Sequence, residues 1–284
     1  SNEIRELEYA ERREIIRILR QFTDDIRPYI PELLESHEFL SAIDFIRARA
    51  LFALRINARL PQLKDERVFD WKEARHPLLW LAYQAEQREV VPLSFHLGGN
   101  HRILLISGPN AGGKSVCLKT IGLLQYMLQC GLLVPCSEDS VFGLFRGIFI
   151  DIGDEQSIDN DLSTYSSHLM NMKFFLRNAS PDTLILIDEF GTGTEPMLGG
   201  AIAESILEDL NLAGTCGIMT THYTNLKHFA TSAEGIVNGA MLFDNRKMQP
   251  LYKLVVGKPG SSFAFEIARA IGLPENVLLK ASEK

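Results

Sequence analysis

Eight residues constrain this chain more than any others. Gly108 to Ser115 read GPNAGGKS and lie between an apolar run of buried-strand length, RILLIS at 102–107, and an amphipathic stretch from Lys114 to Cys130. The run satisfies G-x-x-x-x-G-K-[ST] in the strand-then-helix context that a phosphate-binding loop needs. Glycines let successive backbone N–H groups turn inward around phosphate oxygens, and the start of the following helix adds the positive end of its dipole. Lys114 then falls where it neutralises the β- and γ-phosphates of a nucleotide, and Ser115 where its hydroxyl reaches Mg²⁺. The bland alternative is a glycine-rich turn with a chance lysine, and the flanking elements weigh against it.

A second signal lies downstream. The run Thr183 to Glu189, TLILIDE, is an apolar strand ending in two acids, with Asp188 seventy-four residues beyond Lys114. Carboxylates at the tip of a buried strand need a cation or a proton to offset their desolvation, and a metal ion held near the loop supplies one. Asp188 suits the metal side, and Glu189 suits orienting and deprotonating an attacking water. Taken alone, the pair reads equally well as a solvated strand cap. His222 follows another apolar run, GTCGIMTTH at 214–222, thirty-four residues after Asp188. On strands that run parallel, its imidazole comes within reach of the γ-phosphate or the water beside Glu189; the alternative is a satisfied core histidine. Between these motifs Ser163, Thr164, Ser166 and Ser167 open a helix through Met172 and Leu176. Ordinary capping accounts for them locally, although hydroxyls at a helix start also make an anion site.

The runs 102–107, 147–153, 183–190 and 214–222 alternate with amphipathic stretches such as Lys114 to Cys130 and Gly199 to Leu212. That alternation predicts an α/β layer fold with a mainly parallel sheet. The first sixty residues read differently. Ile15, Ile18, Leu19, Phe22 and Ile26 recur at helical spacing within Glu3 to Ile26, and Pro28 and Pro31 interrupt the pattern. A second helix is expected from Glu32 to Asn57, striped by Phe39, Ile43, Ile46, Ala50, Leu51 and Leu54 and ended by Pro61. Two packed helices without chemistry are the expectation there.

Composition narrows the partners. Twenty-nine Lys and Arg stand against 36 Asp and Glu, a net charge of −7, which argues against a domain whose main task is coating phosphate backbone. The four cysteines, Cys117, Cys130, Cys136 and Cys216, show no zinc or disulfide spacing. No apolar run approaches the roughly 18 residues of a membrane span, and no signal peptide opens the chain, so a soluble, cytoplasmic chain with no membrane partner is expected.

Together GPNAGGKSVCLKTIGLLQYM, DIGDEQSIDNDLSTYSSHL, LILIDEFGTGTEP, TTHY and PGSSFAFEIARAIGLP resemble the ATPase domain of the MutS family. The GGKSV-x-LKT loop and the DIGDEQS segment resemble its second bacterial branch, which often carries a Smr nuclease domain, more than the mismatch-recognising one. The resemblance implies an ABC-type P-loop NTPase over 66–284, preceded by a helical lever remnant over 1–65. It implies ATP and Mg²⁺ as ligands, with Gly108, Pro109, Asn110, Ala111, Gly112, Gly113, Lys114, Ser115 and Val116 around the phosphates. Ser115 and Asp188 hold the metal on that reading, while Lys114, Glu189 and His222 serve hydrolysis. Ser163 reaches in trans across a homodimer with composite ATP sites.

Val90 and Val91, just before the strand-like PLSFHL, are the candidates for the adenine platform, and Glu195-Pro196 stands where the family usually has Asp-Pro. The resemblance also implies an excised piece of a longer chain, with Ser1-Asn2 as a tag remnant. Four functions compete: a repair or recombination ATPase moving a clamp on branched or mismatched DNA, a ribosome-rescue ATPase of the same branch, another ABC-type cassette, and a non-hydrolysing structural ATP clamp. The third lacks its LSGGQ-type signature where DLSTYSS stands.

Overall fold

The computed structural model describes residues 2–109, 112–152, 164–244, 247, 249–260, 268, 272–274, 277 and 280. The chain forms two compact units, Ser1–Phe52 and Ala53–Lys284. Helix α1 (Asn2–Ile26) is followed by a 3-10 turn over Arg27–Tyr29 and by α2 (Ile30–Arg55). Pro28 and Pro31 fall in the first turns of the latter two elements, where a missing N–H costs nothing. The second helix therefore starts two residues before the expected Glu32. It ends two before Asn57, which takes a left-handed φ of +52° and lets the Ala58 amide reach back to the Ala53 carbonyl at 2.8 Å. The apolar stripes expected to pack the two helices together are instead exposed, among them Ile15, Leu19, Phe22, Phe39, Ile43 and Ile46. A stripe is buried only where another surface faces it, and within residues 2–52 neither helix covers the stripe of the other.

The second unit runs through β1 (Gln62–Lys64), β2 (Phe69–Ala74), α3 (Pro77–Ala85), β3 (Leu93–Leu97), β4 (Ile103–Ser107), α4 (Lys114–Gln129) and β5 (Val141–Gly143). It continues with β6 (Gly147–Asp151), α5 (Thr164–Asn178), β7 (Thr183–Ile187), α6 (Pro196–Leu212), β8 (Cys216–Thr220), α7 (Thr224–Ser232), β9 (Ile236–Asp244) and β10 (Gln249–Val256).

The expected parallel sheet is present. Its order is β10-β9-β4-β8-β7-β6, with every neighbour parallel except the edge pair β9 and β10. Strands β4, β7 and β8 are buried at every position, as their unbroken apolar runs require in a sheet covered on both faces. Strands β7 and β8 end before their apolar runs do, at Ile187 and Thr220, so Asp188, Glu189 and His222 stand just past the sheet rather than in it.

A second sheet, β1-β5-β2-β3, was not expected as a sheet, although its strand β3 falls on the strand-like PLSFHL. It closes over an aromatic cluster of Phe69, Trp71, Phe95, Phe142 and Phe145, with Trp71 and Phe142 stacked at 4.2 Å. Helix α6 begins three residues before the expected Gly199, because the Glu195 carboxylate accepts the Met197 and Leu198 amides at 3.0 and 2.8 Å and Pro196 follows as the first helical residue. Those two bonds hold the Glu195 carboxyl below the usual carboxylate range. The glutamate thus caps the helix as an aspartate would.

Candidate phosphate-binding site

Register places the site. Ile106 pairs with Thr220 and Ile187 with Met219, so the carboxyl ends of β4, β8 and β7 come out side by side. Ligands of open parallel sheets bind outside such ends. The glycine-rich loop leaves β4 at Gly108 (φ +141°) and enters α4 after Gly113 (φ +86°), both backbone shapes that suit glycine. Gly113 is constrained twice, since a Cβ there would stand 2.7 Å from the Tyr252 ring. The Gly112 amide closes the turn on the Pro109 carbonyl at 2.9 Å. Asn110 and Ala111 lie outside the described residues, as does Ser163.

Lys114 is 3% exposed, and its ammonium donates to the carbonyls of Gly108 and Pro109 at 2.9 and 3.0 Å. Burial pushes its pKa down to about 8; the Lys227 charge adds to that fall, while Glu189 and Asp188 oppose it. Ser115, half-buried, is the second residue of α4, and the exposed Val116 is the third.

Asp188 is 8% exposed at the end of β7, and its amide donates to the Asp151 carbonyl at 2.9 Å. One buried hydroxyl organises the acidic pair. Thr220 Oγ1 donates to Asp188 Oδ1 at 2.5 Å and accepts the Glu189 amide at 2.8 Å. Glu189 itself takes φ +50°, a left-handed shape rare for a side-chain-bearing residue, and its carboxylate is exposed. Backbone strain of this kind concentrates at working sites, and here the Thr220 bond and the Phe190 amide on the Thr220 carbonyl hold it. His222, two residues past β8, buries Nε2 with no hydrogen-bond partner among the described residues. Burial lowers its pKa, Lys114 and Lys227 lower it further, and Asp188 opposes them, so the imidazole is neutral at pH 7.

The structure therefore brings Lys114, Asp188, Glu189 and His222 into one electrostatic neighbourhood. Thr220 was missed in the sequence. A threonine inside TTH carries no local signal, because its role comes from register with the neighbouring strand. Thr220→Val is expected to strand the Glu189 amide and remove the donor to Asp188, costing about 1–3 kcal/mol. Urea denaturation checks it: a midpoint equal to wild type would mean that the hydroxyl bridge contributes nothing.

Beside the loop lies a cavity of about 260 Å³ bounded by His76, Tyr83, Val90, Val91, Val116 and Tyr252. Val90 and Val91, the candidates for the adenine platform, line this cavity together with Gly113 of the loop. Arg88 lies over the Tyr83 ring at 4.0 Å and stiffens that wall. No pattern near residues 76–91 announced an apolar pocket.

Among the described residues no group of three His, Cys, Asp or Glu side chains is arranged to hold a metal. Ser115 and Asp188 are nonetheless hard oxygen donors of the kind Mg²⁺ takes, since that ion keeps several waters and needs few protein ligands. The donor set fits. No described helix is long and apolar enough to cross a membrane.

Fold and site define an α/β domain that sets a glycine-rich loop and a buried lysine beside a pair of acids. Residues 104–284 match the family described as MutS domain V, and the chain belongs to that family. It is a MutS-family ATPase domain of the MutS2 type, as its likeness to proteins named Endonuclease MutS2 shows. It is 47% identical over 281 residues to that of Pelotomaculum thermopropionicum and 43% over 283 to that of Finegoldia magna. Identity to that of Caldanaerobacter subterraneus is 41% over 281 residues. These alignments cover 99–100% of this chain and 35% of each relative, so the chain spans about a third of their length.

Proposed function

We propose that this domain is an ABC-type P-loop NTPase that binds ATP with Mg²⁺ and hydrolyses it to ADP and phosphate. The observation that carries the proposal is the buried Lys114 ammonium, held among the described residues by carbonyls of its own loop and facing Asp188, Glu189 and a His222 Nε2 that finds no partner among those residues. A desolvated cation beside a buried polar nitrogen that can donate in one imidazole tautomer is a place for an anion.

On this reading Lys114 exchanges the Gly108 and Pro109 carbonyls for β- and γ-phosphate oxygens. Ser115 and Asp188 hold Mg²⁺, which supplies charge neutralisation on the phosphates when bound. Glu189, exposed at the strand tip, orients a water and takes its proton as the oxygen attacks the γ-phosphorus and the bond to the ADP oxygen breaks. Neutral His222 donates to a γ-phosphate oxygen. The cavity lined by Val90, Val91 and Tyr83 receives the base.

Mg²⁺-dependent phosphate release from ATP tests the assignment, and release unaffected by chelation would overturn it. Phosphate contact raises the Lys114 pKa above its nucleotide-free value of about 8. Affinity is therefore intact below pH 8 and lost as pH rises, by about tenfold between pH 7 and pH 9. Titration calorimetry at the two pH values checks that slope, which Lys114→Met should lack.

The whole-protein reading extends further. We take residues 1–65 as a helical lever segment and 66–284 as the ATPase domain of a protein whose nucleotide state moves a clamp on branched or mismatched DNA. The relatives' name, an endonuclease, supports a nucleic-acid target and lends nothing to the ribosome alternative. Homodimerisation through composite ATP sites completed by Ser163 belongs to the same proposal.

A further inference from the structure

Lys227, in the first turn of α7, has no place in the site described so far. Its ammonium donates to the Gly260 carbonyl at 3.4 Å, the outer limit of a hydrogen bond. Gly260 in turn is pinned against the start of the glycine-rich loop. Its amide donates to Ser107 Oγ at 2.7 Å, and a Cβ on it would lie 2.6 Å from the Ser107 carbonyl oxygen and 2.9 Å from the Gly108 nitrogen. Lys227 is thus brought up to the Gly108 peptide, while Lys114 donates to the carbonyl of the same residue at 2.9 Å.

The backbone beneath Lys227 is fixed. Asn238 Nδ2, on β9, donates to the Lys227 carbonyl at 2.9 Å and to Thr231 Oγ1 at 3.2 Å. Burial holds the ammonium below the usual lysine range, and its charge lowers both Lys114 and His222. Lys114 has Asp188 and Glu189 as countercharges; among the described residues Lys227 has none. A tie to one distant carbonyl does not account for a half-buried cation placed beside the Lys114 ammonium, because two neighbouring cations are unfavourable until an anion joins them.

We propose that Lys227 is a γ-phosphate-binding residue, whose ammonium leaves the Gly260 carbonyl for a terminal phosphate oxygen when a nucleoside triphosphate occupies the site. This rests on the nucleotide reading given above. A diphosphate lacks that oxygen and leaves Lys227 on Gly260. The residue accordingly discriminates triphosphate from diphosphate, and links the γ-phosphate to Gly260.

The test measures affinities for a non-hydrolysable ATP analogue and for ADP, both with Mg²⁺, on wild type, Lys227→Gln, Lys227→Arg and Lys114→Ala. Lys227→Gln is expected to lose roughly 10–100-fold in affinity for the triphosphate, the worth of one charge-assisted hydrogen bond, with ADP affinity within about twofold of wild type. Lys227→Arg should recover most of the loss. A merely structural tie to Gly260 would move both affinities together or neither, and either result overturns the proposal. Should Lys227→Gln melt well below wild type, Lys227→Met, which keeps the aliphatic stem, decides by the same ratio. A wild-type chain that binds neither nucleotide would sink the reading of the whole site. If wild type binds both and Lys114→Ala neither, an unchanged ratio in Lys227→Gln overturns this inference alone.

Discussion

Glu189→Gln is expected to bind ATP about as tightly as wild type and to hydrolyse it roughly 10²–10⁴-fold more slowly, the usual contribution of a positioned general base. The substitution isolates the chemistry. Glu189 is exposed and makes its described hydrogen bonds through its backbone, to Thr220 Oγ1 and from Thr192, so the amide side chain disturbs neither the φ +50° backbone nor the Asp188 carboxylate. What it removes is the basic oxygen pair that accepts a proton from water. Single-turnover phosphate release from prebound ATP measures the loss without interference from product dissociation. A wild-type rate would take Glu189 out of the water-activating role and leave its neighbour Asp188 to be examined for it.

Lys114→Ala acts earlier, on binding itself. Loss of roughly 10²–10³-fold in ATP affinity is expected, the range seen when a buried, hydrogen-bonded charge loses its partner. Stability should not fall in step. Lys114 is charged at pH 7 inside a site that pushes its pKa down to about 8, so its folded pKa lies below its unfolded one and the buried charge disfavours the nucleotide-free fold. Removing it relieves that cost while forfeiting two bonds to loop carbonyls. Calorimetric titration with ATP beside a thermal melt separates the two effects: weak binding with an unchanged melt supports the role, whereas wild-type affinity would dismiss it.

How far the site was legible differs from residue to residue. Gly108, Gly113 and Lys114 were readable because the motif, the preceding strand and the following helix are contiguous from Ile103 to Gln129, and local spacing encodes local shape. Asp188, Glu189 and His222 were readable as strand-end residues, although nothing in their own segments said that the ends would meet. The helical stripes of residues 2–55 were also visible, yet the expectation that they pack on one another failed, since a stripe records that a helix needs a partner and not which one.

By itself, the sequence determined the alternation of strands and helices, the mainly parallel sheet and the glycine-rich loop, because apolar period and glycine placement act over a few residues at a time. The tertiary structure decided the rest. Placing β8 between β4 and β7 sets Thr220 under the acidic pair and His222 beside Lys114. Packing α7 and residues 258–260 against the end of β4 draws Lys227 to the same loop, and folding residues 76–91 toward α4 and β10 makes the cavity. These meetings join positions up to about 150 residues apart, and they follow from strand order and register, for which a single chain carries no local period.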